Sequence, residues 1–337
     1  MAMHVQPATM SLTALLPRLL PAPQAFLQTE RPWRLPGATW ARVVGVESGN
    51  LNPVLNYFAH LLHDIDEQPR FSIKVITITG LQTKAVSLRR FGPMNLLSIL
   101  GMLFSAGLLI AAVVYHDGMA VIAISLLSVT SSFVGLGSLW KVDFQRRIVK
   151  RDIPNADVVV IGKQPAFLIV HCTEEVAREL YFGETRCEYF VGNRAFQLLS
   201  AAATLTFMAS VVFLANCTWN LQVGVGIAYV ILNGLYWVAG VIPARFQWDL
   251  GAYRVHHHPE STTPAANYTQ FLIEASKITK STRWMKTGSV APKTDAWNMW
   301  LDEAESNVDN EKWNGQQALT DFLKQLPSRP SNIGTVV

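Results

Sequence analysis

Charge is what this chain has least of. Only 15% of its 337 residues are Asp, Glu, Lys or Arg, against about 25% in an ordinary soluble domain. Half are apolar and the mean hydropathy is positive, which points to a membrane protein. Cysteine is scarce as well. Cys172, Cys187 and Cys217 are too few for a disulfide framework. The net charge of +4, with no Arg/Lys–aromatic runs tracking a phosphate backbone, gives no case for nucleic acid, and none is expected as a partner. The sequence also lacks a P-loop, G-x-G-x-x-G, G-x-S-x-G, an EF-hand loop, any complete zinc signature and any 20–50-residue repeat. No cofactor is expected.

Acidic residues are missing from the amino terminus until Glu30. The stretch does not read as a secretory signal, because a basic leader is lacking and Pro17, Arg18 and Pro21 interrupt the apolar run. The scarcity of acids is shared with mitochondrial transit peptides, but one Arg is few for that class. A flexible tail over 1–49 is the expectation.

Four segments contain no Asp, Glu, Lys or Arg: 94–115, 118–140, 196–216 and 221–243. Each has the length of about 20 residues that spans a hydrocarbon core. They form two hairpins that turn at Asp117 and Thr218. Tyr115, Trp140, Trp219 and Trp237 lie near their ends, as interfacial aromatics do. Lys and Arg flank the spans outside these turns (Lys84, Arg89, Arg90, Lys141, Arg146, Arg147, Arg194, Arg245) and are missing from both turns. The positive-inside rule then puts both termini and the central segment in the cytosol. With no ionisable side chain in the spans, a pump or proton-coupled carrier is disfavoured. Ser125, Ser128, Thr130, Ser131, Ser132 and Ser138 make the second span rich in hydroxyls. Small-xxx-small pairs such as Gly101/Ser105, Ser128/Ser132 and Ser131/Gly135 favour close helix packing over a hydroxyl-lined path.

The expected fold is an α-helical polytopic membrane protein, with four transmembrane helices in two hairpins and a small cytosolic α+β unit. After the tail come a helix and strand pair (50–93), hairpin one (94–140), a ββα insert (141–195), hairpin two (196–243) and a helical tail with a disordered end (244–337). Within the insert, ADVVVIG and AFLIVHC read as paired strands. The helix EEVARELYF then buries Val176, Leu180 and Tyr181. The stretch 70–92 reads as a second strand pair turning near Gly80. Residues 244–264 read as linker, and helices are expected around 265–280, 294–305 and 310–326.

Candidate chemistry is sparse. Asn52 and Pro53 suit a helix start, and His60, His63, Asp64 and Glu67 would then share the face opposite Val54, Phe58, Leu61, Leu62 and Ile65. Two imidazoles and a carboxylate can hold a catalytic metal, so His60, His63 and Asp64 are the catalytic and metal candidates. Amphipathicity alone also puts polar residues there, and no metal is expected. Asp64-Ile65-Asp66 has the D-x-D form of cation-binding transferases, without a nucleotide fold around it. The histidine triplet at 256–258 reads as a solvated turn, and Cys172 beside His171 as a buried thiol. Lys277, Lys280, Arg283, Trp284 and Lys286, in a stretch without acids, are candidate contacts for anionic lipid headgroups.

The stretch AFLIVHCTEEVARELYFGETRCEYF (166–190), between two membrane hairpins, resembles a group of uncharacterised four-pass membrane proteins of filamentous fungi, over about residues 50–245. The resemblance implies the four-pass topology and no catalytic residues. A non-catalytic adaptor or regulator is expected, with the bilayer, anionic lipids and a protein bound through the carboxy-terminal helices as partners. The alternatives are a membrane-surface enzyme acting on a lipid or lipophilic metabolite, and a passive channel or facilitator.

Overall fold

A computed structural model describes residues 12–19, 31–63, 65, 68–80, 86–144, 154–259, 264–310 and 312–325. Along the chain, a 3-10 turn at Leu12–Leu15 precedes β1 (Arg42–Gly45), β2 (Leu51–Asn52), α1 (Tyr57–Leu62), β3 (Ile73–Gly80) and β4 (Ser87–Leu88). The long helices α2 (Pro93–Val114) and α3 (Gly118–Gly137) follow, then β5 (Trp140–Phe144), β6 (Val158–Ile161), β7 (Phe167–His171) and α4 (Glu174–Ala177). The last of these continues as a π-helical turn over Arg178–Phe182. After β8 (Thr185–Tyr189) come α5 (Asn193–Ala215) and α6 (Trp219–Val241), β9 (Trp248–Asp249) and β10 (Tyr253–His257). The chain closes with α7 (Tyr268–Thr279), α8 (Arg283–Thr287), α9 (Asp295–Ser306) and α10 (Gly315–Gln325).

These elements make two compact units. One draws on Met1–Leu35, Lys84–Asp143 and Arg186–Gly251, the other on Pro36–Thr83, Phe144–Thr185 and Ala252–Val337.

The first unit holds four helices long and apolar enough to cross a membrane, α2, α3, α5 and α6. Side chains such as Leu103, Ile110, Leu205, Val212, Val230 and Trp237 lie exposed along them, an apolar surface of the kind that marks a membrane or protein contact. Inside, small residues meet: the Ser105 and Ser128 hydroxyls bond to each other between α2 and α3. Asp117 caps α3 by accepting from the Ala120 N–H (3.0 Å), and its other oxygen accepts from the Thr218 N–H (2.7 Å). One carboxylate thereby joins the two hairpin turns.

A short stretch, the end of the 3-10 turn and the irregular residues after it, also enters this bundle. The hydroxyls of Ser131 and Ser132 donate to the carbonyls of Leu16 (3.2 Å) and Leu15 (3.0 Å), and Ser131 accepts from the Arg18 N–H (3.0 Å). Leu19 is fully buried in the cluster of Ile124, Leu127, Val225 and Leu232. Irregular backbone survives among apolar helices only when its polar groups are satisfied, and the hydroxyls of α3 do this. The expected flexible tail is therefore corrected twice: the segment 13–19 is packed, and β1 lies in a sheet.

The second unit is built on a six-stranded sheet of order β10-β3-β7-β6-β1-β2. β3 and β7 run parallel and the other pairs antiparallel. Runs such as VVVI in β6 are buried on both faces, because both faces are covered. Ile73, Val75, Val159, Ile161, Phe167 and Ile169 pack under Phe271, Trp284, Met285, Trp300 and Leu319 of the last four helices. Burying each such side chain is worth about 1.5–3 kcal/mol. The buried Val176, Leu180 and Tyr181 belong to α4 and its π turn, where an added Gly80 Cβ would come within 3.1 Å of Val176. The β6–β7 pair is the one the sequence indicates. The strand pair over 70–92 is not formed: β3 pairs with β7 and β10, while β4 pairs with β9 in the first unit. The linker reading of 244–264 is corrected too, since it contains β9 and β10.

Candidate functional site

The expected His/Asp helical face is not formed. α1 is six residues long, starts at Tyr57 and ends at Leu62. Asn52 sits in β2, its amide donating to the Tyr181 carbonyl (2.7 Å). His63 lies beyond the helix in extended backbone and turns inward, 5% exposed. Its ring stacks on Tyr181 at 6.0 Å and 5°, with Nε2 2.6 Å from the phenol oxygen. Burial, aided by Lys74, His257 and His60, pushes its pKa down to about 3, and burial pushes Tyr181 well up. Both groups are neutral at pH 7. His60 lies edge-on to Trp40, centroids 5.5 Å apart. Asp64 lies outside the described residues, as do Asp66 and Glu67. His60 and His63 thus serve two different packing environments rather than one wet face.

The basic set divides. Trp284 is fully buried, its indole N–H donating to Thr279 Oγ1 (2.9 Å) and its ring edge-on to Phe167 at 5.1 Å. As a core residue it cannot reach a headgroup, which corrects that assignment. Lys277, Lys280, Arg283 and Lys286 are exposed. Arg283 pairs with Glu305 (3.3 Å) and Lys286 with Asp302, so acids from α9 answer the acid-free stretch.

The polar cluster lies elsewhere, on the sheet. Period-2 alternation carries Thr77 onto the face of Ile73 and Val75, His171 onto that of Phe167 and Ile169, and Asp157 onto that of Val159 and Ile161. The apolar half of this face lies under the last four helices; the other half is polar. His171 Nδ1 is 2.8 Å from Asp157 Oδ2, with the side chains 31% and 19% exposed. The Asp157 N–H donates to Glu47 Oε2 (2.9 Å). The His258 ring stands edge-on to His171 at 6.1 Å, and its Nε2 is 2.7 Å from Thr77 Oγ1. The register explains the meeting, since Thr77 is opposite both His171 in β7 and His256 in β10.

A carboxylate on Nδ1 orients an imidazole and stabilises its protonated form, the second half of acid–base triad logic. Cys172, the next residue, points the other way. Its thiol donates to the Ala156 carbonyl (3.1 Å), and burial pushes its pKa up to about 12, so it is no thiolate. Among the described residues, no three His, Cys, Asp or Glu side chains gather as a metal site. Sequence reading singled out His171 and His258 but missed Asp157 and Thr77. The alternation of Ile and Thr in β3 was the available signal. No family model, curated protein or solved structure matches this chain.

Proposed function

We propose that this chain is a four-pass integral membrane protein whose α/β unit acts on the cytosolic side as a non-catalytic adaptor or regulator. The six-stranded sheet supports the topology. Its strands come from all three polar segments: β1–β3 before the first hairpin, β6 and β7 between the hairpins, β10 after the second. Strands sharing one ladder lie on one side of a membrane, so each hairpin returns to the side it left. The Lys and Arg bias makes that side the cytosol.

The adaptor reading rests on β10. It is the terminal strand, no described strand pairs with its outer edge, and Arg254, His256 and His257 are exposed along it. An open edge is where an extended peptide adds by main-chain hydrogen bonds. The His258 N–H donates to Val75, so by the antiparallel alternation the His257 N–H faces outward. His257→Pro removes that donor and spares the β3 ladder. A photocrosslinker at Arg254 of the full chain in its membrane is expected to capture a defined partner, and His257→Pro to abolish that capture at unchanged abundance. Capture indifferent to His257→Pro retires the adaptor reading.

The Asp157–His171 pair favours a second reading, an enzyme on a lipid or lipophilic metabolite. His171→Ala and Asp157→Asn would then each alter the lipid or metabolite profile of the host membrane without lowering protein abundance. Unchanged profiles remove it.

A further inference from the structure

Arg18 is an ionisable residue buried within the helical unit. It is 7% exposed, and a Cβ on Gly101 of α2 would lie 3.5 Å from its Cβ and 3.7 Å from its Cδ. Gly101 is eight residues inside α2, about 12 Å from its first residue. The guanidinium donates from Nη1 to the Thr13 carbonyl (3.1 Å), while its buried Nε has no partner. Among the described residues no ion pair holds it. Leu19, the next residue, is buried in one cluster with Leu232 of α6, and Tyr236 lies one turn further along that helix. The phenol oxygen of Tyr236 is itself buried without a partner. Arg31 in the same unit differs: it donates to the Gly137 carbonyl and Asn193 and lies over the rings of Tyr189 and Phe196.

An unpaired guanidinium among apolar helices is costly, and such residues find an anion or mark a site. The groups left over here are donors: a guanidinium N–H and a phenol O–H. A neutral ligand would leave the charge uncompensated. An oxyanion with several acceptor oxygens answers both, and Arg recognises phosphate in forked geometry.

We propose that Arg18 and Tyr236 form a site for the phosphate of an anionic lipid, seated against α2, α3 and α6 by the segment 13–19. This rests on the membrane reading of the four helices, which carbonate extraction tests separately: release of the chain into the aqueous phase defeats that reading. For a chain that stays in the membrane, the test is native mass spectrometry of the full-length protein with phosphatidylglycerol, phosphatidylcholine or inorganic phosphate. One phosphatidylglycerol is expected to remain bound per chain in preference to phosphatidylcholine. Arg18→Gln is expected to weaken it about tenfold or more, and Tyr236→Phe several-fold. Retention unchanged in either variant overturns the proposal. If Arg18→Gln fails to assemble, Tyr236→Phe decides. Inorganic phosphate bound as tightly as the lipid overturns the lipid source.

Discussion

His63 shows what one buried imidazole does to a stability curve. Its pKa falls from the ordinary value of about 6.5 to about 3 in the folded chain. The unfolded chain therefore binds more protons between these values, and stability rises with pH across that window. Acidification from pH 7 to pH 5 is expected to remove about 2 kcal/mol through this residue. His63→Gln keeps a donor and an acceptor but does not titrate, so its melting temperature should vary less than wild type between pH 7 and pH 5. Equal slopes for the two proteins would count against the account. Trp284 makes the complementary case. Its replacement by Ala is expected to cost about 3–5 kcal/mol and to lower the melting temperature sharply, whereas Lys280→Ala, at an exposed position, should leave it nearly unchanged. The sequence around Trp284 reads as a basic surface because four cations surround one aromatic. Only the sheet shows that the indole turns inward onto Phe167 while the cations stay outside.

At the scale of elements, the hydroxyls of α3 have a definite use. Ser131 and Ser132 satisfy the carbonyls of Leu16 and Leu15, and Ser128 pairs with Ser105. A pore-lining role is left without support. Gly135 completes the groove: a Cβ there would overlap the Ala14 carbonyl oxygen. Gly135→Ala is therefore expected to expel the segment, seen as faster thiol labelling of Thr13→Cys, while Gly107→Ala, which meets open space, leaves labelling unchanged. What the sequence made legible follows from periodicity. The four apolar helices and the strands β6 and β7 carry long, uninterrupted signals, and α9 begins at its Thr294 cap. The short helix α1 did not read. α1 has six residues, and the tertiary placement of Phe58 and Ala59 outweighs the polar pattern from His60 to Glu67. The partners of β3 lie far away in sequence, so no local pattern could reveal them. Asp157 and Thr77 meet their histidines only through register, although the Ile and Thr alternation of β3 already places Thr77 on its face.

The whole molecule interleaves its two units along the chain. Passage between them occurs after residues 35, 83, 143, 185 and 251, so neither unit is a bead on a linker. Truncation at residue 264 should accordingly do more than remove a tail. It takes away Phe271, Trp284 and Trp300, which cover the sheet, and the remaining chain is expected to show protease cleavage within 36–63, 68–80 and 154–185, where the full chain resists. A truncated protein as resistant as the full one would contradict this account of the core. Topology has its own test. Reporters inserted at 149 and 262 and at the carboxy terminus should all report the cytosol, and one at Thr218 the opposite side. A split result among the first three would break the shared-sheet argument.

The parallel pairing of β3 with β7 has a consequence in time. Between the two strands the chain makes its entire first hairpin, and β10 closes the sheet only after the second. On the proposed topology β3 emerges early and waits for β7 while the first hairpin reaches the bilayer, and for β10 until the second has followed. On that topology the first insertion precedes the β3–β7 pairing, and a hairpin inserted the wrong way would carry its strands to a side where no partner waits.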